Sequence, residues 1–482
     1  MLADNELAYH EIDFLLPAQR FNIQFSYVSQ KGLSFIREFL LRLVHVAPMS
    51  RGHIASYFGL SHGEVDEAVS DLVQRGELTL GTDGRLTLTD KSSGYFTNIG
   101  EIPQLSAVQN GGVSLSFDLA VFSCLENDNR IEQWKSGLAL SVDDKNRSMS
   151  EKLVERNFQR QFNQILDDGY LPNLQNHDDK TRPYIYTVNS VNQLRSRPLR
   201  LKTNFKVNAD GRSVEREDYD VLNNSEIVHE LVTAELSKLS GANNTVSIFK
   251  AMATLGDEET FKLFDSSTNL INPTYLMDMQ TLEANGGLGR TTFIGPIYTG
   301  ENWGKLQKVL APILVSRVKK KTDVAEGQFT WIAPSDPFWA KNDRFTSSLS
   351  QFIEQGRTNK KIIYSPVVYV PLADESDFRT ARQWRNELSN WQKQVKGLVE
   401  GFLDGNVEIL HLEGELVVVI YHLIQPDIFP VSMPLGFIST NKAAVNKVGK
   451  LVFDYVNGVS SFEKVHDCGS IFSILDGQRR RS

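Results

Sequence analysis

The chain reads as a multidomain α+β protein, and three observations carry that reading. Residues 33–92 show three short helical periods followed by two alternating runs around a Gly-rich turn. From residue 310 onward strand-like runs and helical periods alternate, as in an α/β layer domain. The stretch between them mixes both patterns, and 482 residues exceed what one ordinary core organises. The expected divisions are an N-terminal strand segment (1–32), a helical module (33–92), a mixed α/β domain (93–309) and a C-terminal α/β domain (310–482).

Composition bounds the rest. A chain that is 41% hydrophobic and 23% charged belongs with folded proteins rather than disordered ones. Its net charge of -8 excludes a uniformly basic surface but leaves room for local basic patches, which are what nucleic acid meets. Cys124 and Cys468 lie far apart, with no Cys or His at metal-ligand spacing, so reduced thiols are expected and neither a disulfide framework nor a zinc site. The opening MLADNELAYHEIDF is acidic and interrupted, unlike a signal peptide. The longest apolar run, 416–424, is about half of a membrane span. The expectation is a soluble, cytoplasmic protein with no membrane contact, cofactor or metal.

In chain order, the first element is a strand over 20–28, where RFNIQFSYV alternates, expected to pack against a later domain and to make the module an insertion. The module follows. Leu33, Ile36, Leu40, Leu43 and Val44 keep a helical period that Pro48 ends. A second helix starts near Ser50, burying Ile54, Ala55 and Phe58, and Gly59 supplies the turn. Ser61 and Glu64 have the spacing of a capping box, opening a third helix that buries Val65, Ala68, Val69, Leu72 and Val73 before Gly76. The runs 77–80 and 85–88 alternate around Gly81-Thr82-Asp83-Gly84, a hairpin pattern.

Three helices and a two-stranded wing in this order closely resemble a winged helix-turn-helix. The resemblance implies a third helix that enters the DNA major groove and a wing that holds phosphates. Here the outward positions of that helix are His62, Gly63, Asp66, Glu67, Ser70 and Gln74, and Glu64 and Asp71 add to its acidity. Residues 33–92 carry a net charge of -2, whereas affinity for DNA rests on neutralising phosphates. Two readings stand side by side. Arg51, His53, His62 and Arg85 contact DNA with help from basic surface elsewhere, or the module docks on protein through Asp66, Glu67, Ser70 and Gln74.

Beyond the module, Val113, Leu115 and Phe117 alternate, with Leu138 and Leu140 further on. A helix over 151–166 carries Leu153, Val154, Phe158, Phe162 and Ile165 on one stripe and Arg156 and Arg160 on another. The strand-rich stretch 181–207 holds Arg182, Arg195, Arg197, Arg200, Lys202 and Lys206 with Tyr184 and Tyr186 between them. Such a stripe suits a phosphate backbone whose bases stack on aromatics. Helices are expected over 225–239, 245–255 and 302–318, the last running into Lys319, Lys320 and Lys321, which join the candidate phosphate contacts together with Arg479–Arg481. NGGLGRTTF (285–293) lacks the Gly-Lys-Ser/Thr ending of a phosphate loop and reads as a turn.

In the C-terminal part, a strand and loop are expected over 328–338 and strands at 361–372, 407–412 and 415–424, with a helix over 345–354. Trp384, Leu388, Trp391, Val395, Leu398 and Phe402 recur at spacings of four and three, which predicts one long helix. This part is faintly similar to phospholipase D-like domains, with His411-Leu412-Glu413 and Ser439-Thr440-Asn441 standing for the His-x-Lys and Gly-Ser-x-Asn motifs. The resemblance implies His411 as nucleophile. The chain departs from it at the phosphate-holding Lys, which is Glu413, at the Asp, which is Val418, and in the long gap to Ser439. A carboxylate is the wrong charge for a phosphate, so two readings stand: a degenerate relative used for binding, or unrelated α/β structure in which His411 and His422 are strand histidines with ordinary partners.

The leading expectation is a non-catalytic, nucleic-acid-associated binding and organising protein in a cytosolic assembly, with DNA or RNA held by basic patches and a partner protein by the module. One alternative is a degenerate or metal-dependent nuclease or phosphodiesterase on the C-terminal domain, using acids such as Glu408, Glu413 and Glu415; His177-Asp178-Asp179, in a polar loop, has metal-ligand types but reads as solvated acids. The other is a pure protein adaptor.

Overall fold

The computed structural model describes residues 6–31, 35–99, 103, 105–126, 136–174, 182–222, 225–284, 289–320, 327–359 and 361–479. It is a mixed α/β protein of two compact units. One comprises 18–128 and 143–197, the other 1–17, 129–142 and 198–482. The units interleave along the chain, so the expected 93–309 segment contributes to both. Among the described residues no helix is long and apolar enough to cross a membrane.

In the first unit a four-stranded antiparallel sheet runs Cys124–Leu125, Leu105–Asp118, Ala18–Lys31, Tyr184–Ser196. Its central pair stays in register from Ala18 opposite Asp118 to Lys31 opposite Leu105. Everything between Lys31 and Leu105 is therefore an insertion between two directly paired strands. Phe21, Ile23, Phe25 and Tyr27 are buried along one side of the central strand. Helix Ser150–Asp167 packs there, with Phe158 and Phe162 set 5.2 and 5.8 Å from the Phe25 ring. The expected strand at 20–28 is present and longer, and the expected helix at 151–166 is present.

Inside the insertion are helices Phe35–Val46, Arg51–Phe58 and His62–Gln74, then the paired strands Leu78–Leu80 and Leu86–Leu88. The local chemistry sets each boundary. Ser50 caps the second helix by accepting from the His53 N–H, and Gly59 closes it at φ 65°, where only glycine sits without strain. Ser61 and Glu64 form the reciprocal capping box of the third helix. Leu40, Leu41, Val44, Ile54, Ala55, Val65, Val69, Leu72, Leu78 and Leu86 make one small core. Two apolar positions depart from the expectation. Val73 is 41% exposed and Ile36 is also exposed, because both fall at the edges of their helices' inward stripes.

The second unit is built on an eight-stranded mixed sheet in the order Arg290–Ile294, Met433–Ser439, Leu416–Leu423, Val407–Leu412, Gln328–Ile332, Ser365–Leu372, Val395–Val399, Asp467–Ser470. The three strands at 328–332, 365–372 and 395–399 are parallel and the other pairings antiparallel. Every residue of Val407–Leu412, Leu416–Leu423 and Met433–Ser439 is buried, so these strands are covered on both faces. A three-stranded sheet, Leu138–Ala139, Leu7–Leu16, Leu199–Val207, completes the unit's strands.

The long helix expected across 384–402 does not form. Helix Phe378–Glu387 ends there, a short turn follows at Ser389–Trp391, and Val395–Val399 pairs in parallel with Val368–Leu372. β-Branched Val395 and Val399 favour the strand, and Gly401 at φ 116° lies outside helical conformation. The apolar spacing was helical because Trp384, Leu388, Trp391 and Val395 all reach one core, from a helix, a turn and a strand in succession.

Candidate functional site

The outward face of the third module helix is as expected: His62, Gly63, Asp66, Glu67, Ser70 and Gln74 are all exposed. What surrounds it alters its charge. Arg51 Nη1 lies 2.9 Å from Asp66 Oδ1, Arg75 Nε 2.7 Å from Asp71 Oδ2, and Arg85 Nε 3.9 Å from Asp83 Oδ2. His53 Nδ1 is 2.9 Å from Ser50 Oγ. Two of the four candidate phosphate contacts, Arg51 and Arg85, thus face carboxylates of the module itself. Exposed pairs of this kind are worth at most about 1 kcal/mol, so they lower the positive potential without fixing the side chains.

The basic stretch 181–207, continuous in sequence, is divided by the fold. Arg182, Tyr184, Tyr186, Arg195 and Arg197 belong to the first unit, and Arg200, Lys202 and Lys206 to the second. Arg182 binds both oxygens of Asp167 at 2.6 Å. Tyr184 and Tyr186 are 55% and 66% exposed on the strand Tyr184–Ser196, at the edge of its sheet. Arg195 is exposed and stands directly opposite Arg20, while the Arg197 N–H donates to the Ala18 carbonyl.

The second half of the stripe serves its own unit. Arg200 is only 7% exposed and donates to Asp13 and to the Ser136 carbonyl, both at 2.8 Å, so it cannot present its guanidinium to a phosphate. Lys202 is 2.6 Å from Asp343, and Lys206 lies between Glu6 and Glu217. Lys319 and Lys320 are exposed at the end of helix Gly300–Lys319. Lys321, Arg480, Arg481 and the His177–Asp179 loop lie outside the described residues, as does the side chain of Arg479.

The motif positions of the C-terminal sheet do not assemble into a reaction centre. His411 is buried against helix Lys442–Asn457, where a methyl group added to Gly449 would come within 2.5 Å of its ring. Burial lowers its pKa. Asn441 caps that helix, and Ser439 donates to the Gly289 carbonyl. Glu415 pairs with Arg317 at 2.7 Å, whereas Glu408 lies elsewhere in the core.

Sequence reasoning missed what surrounds Glu408. Both ring nitrogens of buried His422 face carboxylates: Nδ1 is 2.7 Å from Asp336 Oδ2 and Nε2 3.1 Å from Glu408 Oε2. A histidine between two acceptors donates from both nitrogens and is an imidazolium. Burial alone would lower its pKa, but the hydrogen bonds and charges of Asp336 and Glu408 outweigh it and hold the ring at about 9. Both carboxylates accept further hydrogen bonds. Trp331 and Trp339 donate to Glu408 Oε1 at 2.7 and 2.9 Å, the Phe338 N–H to Asp336 Oδ1 at 3.0 Å, and Ser432 to Asp336 Oδ2. Buried His10 lies near enough to feel Asp336 and His422, and desolvation lowers its pKa to about 4. The only sequence signal was a Glu and a His inside apolar strand runs.

A polar cavity of about 820 Å³ in the same unit is lined by Arg216, Asp218, Tyr219, Ser225, Glu226 and His229, among others. Ser225 and His229 both reach the same Asp218 oxygen, at 2.9 and 3.2 Å. The histidine therefore does not stand between serine and carboxylate, and the serine is not activated as a nucleophile.

Fold and surfaces together define a two-unit α/β protein with a three-helix module inserted into one sheet. No protein-family model matches the chain, and no curated protein matches it.

Proposed function

We propose that this is a non-catalytic, nucleic-acid-associated binding protein that organises an assembly. On this reading the insertion is a winged helix-turn-helix whose acidic third helix meets protein, while nucleic acid is held by the strand Tyr184–Ser196. The partition of charge within one unit carries the proposal. The third helix exposes Asp66 and Glu67 and draws Arg51 into an ion pair, whereas the strand exposes Tyr184, Tyr186 and Arg195. Phosphates are repelled by the first surface and attracted by the second. The C-terminal sheet is read as a degenerate phospholipase D-like scaffold, supported by the burial of His411 and by Glu413 in place of a cation.

The test compares the intact chain with one in which 33–92 is replaced by a short turn, since the strands on either side pair directly as far as Lys31 and Leu105. Binding to mixed-sequence DNA and RNA is followed against salt. The proposal expects binding that weakens steeply with salt and survives the replacement. Binding lost with the module would assign DNA reading to the third helix instead.

A further inference from the structure

The four-stranded sheet of the first unit has a second face, opposite the helix Ser150–Asp167, and its chemistry is distinct. Along Ala18–Lys31 buried Phe21, Ile23, Phe25 and Tyr27 alternate with Arg20, Asn22, Gln24, Ser26 and Val28, of which Gln24 is exposed, Arg20 and Asn22 half-buried, and Ser26 and Val28 buried beneath their neighbours. The register sets Asn110 beside Ser26 on one side and Asn192 beside Asn22 on the other. Ser26 joins the three strands, accepting from Asn189 Nδ2 at 3.0 Å and donating to Asn110 Oδ1 at 2.8 Å. Gln24, Asn110 and Asn192 are exposed. Among the described strand positions of this face the one carboxylate is Asp118, which is buried and spent on the backbone N–H groups of 120–123.

Charge sits at one end and an aromatic ring at the other. Arg20 and Arg195 are direct cross-strand partners and concentrate positive charge at one end of the face. Tyr184, opposite Val28, stands on the same face at the far end. Opposite Val28 and Arg20, which are eight strand positions apart, Tyr184 and Arg195 span about 26 Å.

We infer that this open face binds single-stranded nucleic acid. The inference rests on the nucleic-acid reading above and names its surface and substrate. Amide and hydroxyl side chains both donate and accept, so they match base edges and sugar hydroxyls without repelling phosphates. The paired arginines hold the backbone, and Tyr184 stacks on a base. A duplex keeps its base edges within its grooves, whereas a single strand lays its bases open to a strand face.

The experiment uses the full chain and fluorescence anisotropy with 16-nucleotide DNA and RNA single strands and a 16-base-pair duplex, probe lengths of about the upper site size of known single-strand folds. Binding of either single strand at least about tenfold tighter than the duplex supports the inference, tenfold being about 1.4 kcal/mol. Arg195→Ala should reduce the slope of log affinity against log salt by about 0.7, and Tyr184→Ala should weaken binding about tenfold. Lys238→Ala, which removes an exposed cation of the other unit that pairs with Glu235, should leave single-strand binding unchanged. Duplex bound as well as single strand, or single-strand binding untouched by both Arg195→Glu and Tyr184→Ala, would overturn the inference and leave the nucleic-acid reading standing. No binding to any probe would overturn both.

Discussion

Glu77 in one unit and Glu408 in the other are both buried, and the two are held in different ways. Glu77, in the inserted module, is 1% exposed and meets Arg37, whose Nε lies 2.8 Å from Oε2, with the Tyr95 hydroxyl donating at 3.2 Å. Glu408, in the eight-stranded sheet, is wholly buried and meets His422 and two indole N–H groups. A guanidinium keeps its charge at any ordinary pH, and Arg37 keeps part of its side chain in water. An imidazolium can lose its proton, and the His422 side chain is only 2% exposed. The first carboxylate is tied to a fixed partner near the surface, the second to a titratable partner within.

The comparison is broken most directly by removing each acid. Glu408→Gln should cost the sheet unit about 3–5 kcal/mol, because it leaves a buried cation short of a partner. Urea unfolding followed by the fluorescence of buried Trp331 and Trp339 measures it, and a loss below about 1 kcal/mol would refute the account of the cluster.

pH separates the two next. His422 carries a raised pKa, so its stabilisation is complete below the unfolded value of about 6.5 and is lost as pH rises through about 9. His10, held neutral, acts in the opposite sense: its pKa of about 4 means that stability falls as pH falls from the unfolded value through the folded one. The sheet unit should therefore be most stable near pH 6.5 and lose on the order of 2–4 kcal/mol by pH 9. Hydrogen exchange, corrected for its intrinsic pH dependence, should show protection in 407–423 declining over that range while protection in 62–74 holds.

Smaller effects sharpen the contrast. Glu77→Gln should cost the module about 1–2 kcal/mol, since Arg37 can turn to water, and exchange in 35–96 should report it. Ser61→Ala removes one side of the capping box and should cost about 1 kcal/mol, seen as faster exchange in the first turn of His62–Gln74.

The same contrast explains what the sequence made legible. The module's determinants lie three or four residues apart: Ser50 and His53, Ser61 and Glu64, the inward stripes that meet in one small core. Only the stripe edges were misjudged, as at Val73 and Ile36, since a periodic pattern does not say how far a partner reaches around the helix. Strand Leu7–Leu16 escaped because its burial does not alternate. The helix misread at 384–402 shows that one core can impose a common apolar spacing on different elements, and Gly397 and Gly401 were the residues to weigh against it. The His422 cluster draws on 336, 408, 422 and 432, with nothing local to link them. The basic stripe was legible as composition, but which cations meet Asp13, Asp343 and Glu217 is decided by strand pairing between distant segments.

The insertion between paired strands bears on how the chain reaches this state. Zipping Ala18–Lys31 against Leu105–Asp118 from an unfolded chain means closing a long loop, and the entropy opposing closure grows with loop length. Once 35–96 has folded on its own short-range contacts, the segment no longer counts as slack, and the two strands meet almost as the arms of a hairpin. Local order at the tip then acts as the nucleus for non-local order in the sheet, so a substitution such as Leu72→Ala in the module should slow formation of a ribbon it does not touch.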